Sequence, residues 1–266
     1  MFRKKKVVWL LLLPGLAGLM LFYVVPFFGG IYSSLMDGSF ENQFVGLANY
    51  ERTLQNSMFQ LGLKNTWELS LLCAPVIWLL AFLLAAMLKT LKDRSTAFRN
   101  ILLLPYLMPS LAVGAAFFIL FSNDKINLFN TYTLLIIAGV IKYIPFASRS
   151  ALNSMLQLSG EIEEAAIIQD IPWYKRMLRI IIPIQKSSII NGYMLPFMTC
   201  LRELSLFLLL CTQGFILSTT LDYFDEMGLY AFSSAINLIL IVTILIFNTL
   251  VNKLTGASLD EGIGGK

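Results

Sequence analysis

Six long apolar runs, separated by short polar stretches, dominate the chain. They cover approximately residues 7–32, 65–88, 101–121, 128–147, 188–211 and 229–251. A helix needs about 20 mostly apolar residues to cross a hydrocarbon core of roughly 30 Å, and each run meets that length. The runs are continuous, without the period-two alternation of a membrane β-barrel. The pattern predicts an all-α polytopic membrane protein of six transmembrane helices. It reads as one transmembrane domain over residues 1–256, followed by a flexible tail over 257–266. The basic start, Arg3 to Lys6, followed by Val7 to Leu13, has the look of a signal peptide. The apolar stretch then runs on to Tyr32, too long for an h-region, so an uncleaved first membrane helix is expected. Pro14, Pro26, Pro75, Pro105, Pro109, Pro145 and Pro196 lie within the runs and should kink the helices there.

The polar connections orient the bundle. Of the 20 Lys and Arg, fifteen fall in the termini and in the second and fourth connections, three (Arg52, Lys64, Lys125) fall in the others, and Lys142 and Arg202 lie inside runs. By the positive-inside rule both termini are expected in the cytoplasm of a multi-pass protein of a bacterial-type cell (inner) membrane. The external stretch 33–64 has room for a short helix near 47–54. The stretch 157–186 is the longest cytoplasmic connection. Within it Ser159 can cap a helix whose first turns hold Glu161, Glu163 and Glu164, carboxylates at the positive end of the helix dipole. Ile162, Ala165, Ala166 and Gln169 share one face, and Pro172 should end this helix near Asp170. A second helix follows, with Trp173, Met177, Ile180 and Ile181 on one side and Lys175, Arg176 and Arg179 on the other. Pro183 is expected to close it before the fifth span. The residues alone fit either a helix–turn–helix that projects to meet another surface or an amphipathic connector resting at the membrane interface.

Composition agrees with a membrane bundle: 57% of residues are hydrophobic and 14% charged, against about 25% charged in a soluble domain. The net charge of +4 is accounted for by the inner loops and requires no nucleic-acid partner. Histidine is absent, which excludes His-assisted serine chemistry. Cys73, Cys200 and Cys211 sit inside apolar runs as small buried hydrophobes, and no metal-ligand spacing or cofactor motif occurs. Arg202 and Glu203 lie mid-run, where charges face a cavity or a partner group. They are either structural ions or part of a polar path. Glu68 and Lys142 lie nearer the run ends and are read as snorkelling. Asn191, Tyr193 and Tyr106 are further candidates for polar lining of a path.

A resemblance narrows these alternatives. Glu164-Ala165-Ala166, then Asp170, then Ile180-x-Ile182-Pro183 resemble, position for position, the EAA loop of the permease subunits of type I binding-protein-dependent ABC importers. The family pattern has Gly where Asp170 stands and Leu where Ile182 stands. Residues 13–64, with Phe44 to Tyr50 and Leu63 to Thr66, and the stretch Arg99 to Pro105 look like sugar and glycerol-phosphate permeases. Ile144 to Arg149 and Leu201 to Leu210 look closer to ferric-ion permeases. The resemblance implies a transport subunit, not an enzyme, with ATP hydrolysed by a partner. Glu164, Ala165, Ala166, Ile167, Ile168, Asp170, Trp173, Ile180 and Pro183 would couple it to cytoplasmic ATPase subunits. A second permease subunit, giving a heterodimer or a homodimer, and an external solute-binding protein are the other partners implied. Sugars, other small polar solutes and ferric ion stay open as substrates. An ion-driven secondary transporter, which would show an inverted repeat and midplane acids in both halves, is the main rival. A membrane enzyme or assembly scaffold is the other.

Overall fold

The computed structural model describes residues 2–91, 95–123, 126–156, 160–184 and 186–255, with side chains undescribed at 2–10, 89–91, 95–99, 163, 186–189, 191, 252, 254 and 255. The expected N-cap Ser159 and the tail 257–266 lie outside the described residues. The chain divides into two compact units, Met1–Gln60 with Leu221–Thr243, and Leu61–Thr220 with Ile244–Lys266.

The first unit begins with one continuous helical path, α1 (Phe2–Leu19), a π-helical turn (Met20–Val24) and α2 (Val25–Ser34). Pro26 has no N–H to give and its ring would strike the carbonyl one turn back. The wider π turn just before it, closed by Val25 N–H to Met20 O, lets the helix continue. None of the most apolar stretch of this path is buried, as suits a surface turned to lipid. The loop after it is organised by side chains. Asn49 Nδ2 donates to the carbonyls of Ser34 (2.9 Å) and Met36 (2.6 Å), and Asp37 accepts the backbone N–H of Ser39 and of Gln43 (3.0 Å each). The hydrogen bonds from Ser39 hold the Asp37 carboxyl below its ordinary range. Helix α3 (Ala48–Gln55) then sits where a short external helix was expected.

In the second unit, α4 (Ser57–Leu91) is followed by α5 (Ser95–Leu107), α6 (Ser110–Phe121), a two-residue hairpin β1 (Ser122–Asn123) with β2 (Ile126–Asn127), and α7 (Tyr132–Leu156). The loop helices α8 (Gly160–Ile168), α9 (Trp173–Arg176) and α10 (Ile182–Ile184) lead into α11 (Lys186–Arg202). Helices α12 (Leu217–Glu226) and α13 (Tyr230–Thr255) complete the chain, with Leu221–Thr243 belonging to the first unit. The core joins Leu69, Cys73 and Ile77 of α4, Val113 and Phe117 of α6, and Leu134, Leu135 and Ala138 of α7 to Leu206, Phe207 and Leu210. All three cysteines are buried and free, as expected. Trp67, Phe197 and Phe247 form an aromatic cluster with centroids 4.7 to 5.7 Å apart, joining α4, α11 and the end of α13.

Among the described residues four helices are long and apolar enough to span a membrane, Leu11–Ser34, Ser57–Leu88, Tyr132–Leu156 and Tyr230–Val251, or five if the bent pair α5–α6 counts as one. Two of the six expected runs therefore differ from simple rods. The run 101–121 bends by 96° between α5 and α6. Pro109 there has ψ 133 and cannot donate, so the helix ends and a new one starts. The run 188–211 is helical only to Arg202. Residues 203–216 then follow tight turns, with Leu206, Phe207 and Leu210 fully buried. Apolar side chains fill the core whichever backbone carries them, which is why the run looked like one helix.

Candidate coupling loop and translocation path

The loop between α7 and α11 carries the resemblance, and its backbone explains the departure from the family pattern. Asp170 has φ +50, in the left-handed region. Its N–H donates to Ile167 O (2.9 Å), and the N–H of Ile171 donates to Ala166 O (3.1 Å). This pair of bonds is a Schellman cap, in which the residue at Asp170's position must turn left-handed. Glycine adopts that conformation freely and aspartate at moderate cost, so Asp170 fulfils the turn. Pro172 then starts α9. Asp170→Gly is expected to stabilise the cap by about 1 kcal/mol and Asp170→Val to weaken it. Slower hydrogen exchange at the N–H groups of position 170 and Ile171 in the first variant, and faster exchange at Ile171 in the second, is the measurement.

Burial divides the expected coupling residues. Glu164, Ala165, Ile167, Asp170 and Trp173 are exposed, and Ile168 is 83% exposed. Ile180 is half-buried and Pro183 exposed. Ala166 faces inward at 5% exposure, so it serves the loop's own packing, against the expectation of a contact surface. The two-sided reading of the second helix holds in part. Met177 and Ile181 are buried against Phe82, Ala85 and Leu88 of α4 and Leu152 and Met155 of α7, whereas Trp173 is turned out. Pro183 does not close the helix as expected. The π turn Met177–Ile181, with Ile182 N–H to Met177 O, absorbs it, as the turn before Pro26 does in α1–α2.

The polar candidates are dispersed. Arg202 is exposed, at the last position of α11. Glu203 is half-buried. Its carboxylate accepts the Tyr143 hydroxyl and the Leu206 N–H (3.0 Å), while its carbonyl accepts the Ser218 hydroxyl (2.7 Å). It thus supplies the acceptor that ends α11 and starts the turn. Tyr106 stacks on Phe146 at 5.6 Å and is partly exposed, and half-buried Tyr193 stacks on Phe197 at 6.1 Å. Asn191 lies in α11, and its side chain is outside the described residues.

Lys142 is the residue the sequence reading misplaced. Because α7 extends to Leu156, Lys142 lies near its middle, about 15 Å from the start and 21 Å from the end at 1.5 Å per residue. Snorkelling cannot reach water over such lengths. At 4% exposure, its ammonium instead donates to the carbonyls of Tyr106 (3.3 Å) and Met108, which the bend between α5 and α6 leaves without helical partners. Glu68 behaves differently, meeting Lys64 at 3.8 Å and accepting the Tyr132 hydroxyl at 2.9 Å.

Known proteins give this geometry a context. The chain matches no protein-family model. It is 27% identical to the trehalose/maltose transport permease MalF of Thermococcus litoralis, over 95% of this chain and 94% of that one. It is 26% identical to the arabinooligosaccharide transport permease AraP of Bacillus subtilis, over 98% and 92%. A putative ferric transport permease of Haemophilus influenzae is also 26% identical, over 73% of this chain but 32% of its own length. In fold, the chain superposes with a TM-score of 0.79 on a chain of a bacterial alginate ABC transporter solved with its alginate-bound periplasmic protein, at 17% identity and covering 96% and 97% of the two chains. A chain of the methionine transporter MetNI superposes at 0.63. The chain is thus similar along nearly its whole length to sugar ABC-transport permeases, and over part of its length to ferric ones, and it has the fold of ABC-importer permeases.

Proposed function

We propose that this chain is the permease subunit of an ATP-driven saccharide importer, coupled to cytoplasmic ATPase subunits through α8 and α9. The observation that carries this reading is the loop itself. Glu164, Ile167 and Ile168 stand exposed on the capped helix α8 and Trp173 on α9, and the turn that follows packs Met177 and Ile181 against α4 and α7. Apolar groups presented on a firmly seated short helix are what a docking contact needs. Both termini and this loop face the cytoplasm, by the distribution of basic residues. The chain acts as one transmembrane domain over residues 1–256. It pairs with a second, related permease subunit as a heterodimer, and Arg202, Glu203, Asn191, Tyr193 and Tyr106 contribute polar groups to the path between them.

An extracytoplasmic solute-binding protein docks on the opposite face. Within the first unit, a cavity of about 270 Å³ is lined by Asp37, Asn49 and Arg52 together with Phe224, Tyr230 and Phe232. Asp222, whose carboxyl is pushed up by burial and by Glu226 and Asp225, adds negative charge nearby in sequence. A saccharide is favoured over ferric ion because the relatives matched along nearly their whole length carry sugars in their names, whereas the ferric relative is matched over a third of its length.

The test is reconstitution of the permease with its ATPases, partner permease and binding protein in vesicles, with a panel of labelled di- and oligosaccharides. Uptake that requires ATP and survives collapse of ion gradients is expected. Uptake that ignores ATP and stops with the gradients would replace this reading with a secondary transporter.

A further inference from the structure

Two spans of the second unit are interrupted, and two consecutive residues of the unbroken helix α7 hold both interruptions. Lys142 binds the freed carbonyls of Tyr106 and Met108 at the elbow between α5 and α6. Tyr143 donates to Glu203, which in turn binds Leu206 N–H in the turn that follows α11. The interruptions also touch each other, since a Cβ on Gly114 of α6 would lie 2.6 Å from Leu206 O. Lys142 and Glu203 make no ion pair within 4 Å among the described residues. The buried ammonium and the half-buried carboxylate are therefore each satisfied at a different interruption. At its other end the same helix supplies Leu152 and Met155 to the seat of Met177 and Ile181 in the loop. Pro145 lies between the two ends, and α7 remains continuous through it.

We propose that Lys142, Tyr143 and Glu203 are positioning residues that carry movement of the α8–α9 loop, by way of α7, to the elbow at Met108–Pro109 and the turn at Glu203–Cys211, the two parts that open and close the solute path. This rests on the permease reading above. A cation is suited to the elbow because the C-terminal end of α5 presents unpaired carbonyls and a negative dipole end. A carboxylate is suited to the turn because it must accept both an O–H and an N–H. The roles of Lys142 and Tyr143 do not depend on touching solute.

The experiment uses the full reconstituted assembly and reads solute moved per ATP hydrolysed. Lys142→Met and Tyr143→Phe are each expected to lower that ratio about tenfold, the scale of energetic coupling within one network, while ATP hydrolysis stays near wild type. The double variant should be no worse than the worse single one, and Lys142→Arg should restore much of the ratio. Leu107→Cys, exposed beside the elbow, should react with a maleimide in a way that changes with ATP, and Lys142→Met should abolish the change. Where Lys142→Met reduces folded yield, Tyr143→Phe keeps the shape and removes only the donor, and the same fall in ratio is expected. Transport and hydrolysis falling in parallel, or single effects that multiply in the double variant, would reduce these residues to structural ones and overturn the proposal. A wild-type assembly without ATP-dependent uptake would instead fail the permease reading, and the proposal with it.

Discussion

Replacing Gly114 by leucine is expected to remove most of the folded protein from the membrane. A Cβ at this position would stand 2.6 Å from the carbonyl oxygen of Leu206 and 3.4 Å from its carbonyl carbon, both backbone atoms of a fully buried residue in the turn after α11. A flexible side chain could swing away, but this turn cannot. Its N–H groups are engaged by Glu203 and by the carbonyls of Leu204 and Phe207, and its side chains are buried among Val113, Phe117 and Leu134. Leucine would force α6 away from the turn and open the core. Overpacking of this kind costs about 3 kcal/mol or more where backbone must move, a large share of a domain's net stability. Thermal unfolding of the purified protein, or the yield of protein that stays monodisperse in detergent, measures it. Gly192→Ala is the matched control. It lies inside α11 with nothing within 4 Å of the added atom, so it should be neutral or gain roughly 0.5 kcal/mol of helix propensity. Equal yields from Gly114→Leu and Gly192→Ala would show that α6 is not packed on the turn.

That close approach also marks the boundary of what the sequence can disclose. Apolar runs report which side chains avoid water, and they located the membrane helices. Local chemistry reported short elements well. The external helix expected near 47–54 is Ala48–Gln55, and the left-handed turn at Asp170 follows from the glycine position it occupies in the loop pattern. The interruptions were hidden because they do not change the side-chain pattern. Leu204 to Leu210 are as apolar as the helix before them, yet they pack from turns. The signals were polar residues of the wrong kind for lipid. Glu203 sits where a helix must end if its carboxylate is to bind an N–H three residues on. Lys142 was placed near a span end only because the run was taken as 128–147. The true helix, Tyr132–Leu156, puts it in the middle, where a buried cation needs acceptors and the elbow provides them. The resemblance places Ala166 among the coupling residues, and only packing shows that it points inward.

The second large effect is expected at the loop, where Ile168→Glu should uncouple transport without unfolding the chain. Ile168 is the most exposed large apolar residue of α8, and the described residues leave 83% of it open. A substitution at so open a site changes stability by no more than about 0.5 kcal/mol. Its cost appears only when another protein covers the site. A buried apolar anchor at the centre of an interface contributes about 2 kcal/mol or more, and a desolvated, unpaired carboxylate adds a further penalty. At 1.4 kcal/mol per factor of ten, a loss of about 2.8 kcal/mol weakens ATPase association about a hundredfold. Pull-down of the ATPase on immobilised permease and solute-stimulated ATP hydrolysis should both collapse, while the melting temperature of the isolated permease stays put. Ala166→Leu should behave in the opposite order. The buried methyl leaves no room, so the isolated permease loses stability first and coupling suffers as a consequence. Two residues apart on one short helix, the outward isoleucine and the inward alanine then separate docking from folding. If Ile168→Glu left ATPase capture and solute-stimulated hydrolysis at wild-type levels, α8 would be a connector lying on the membrane surface, and the coupling contact would have to be sought elsewhere on the chain.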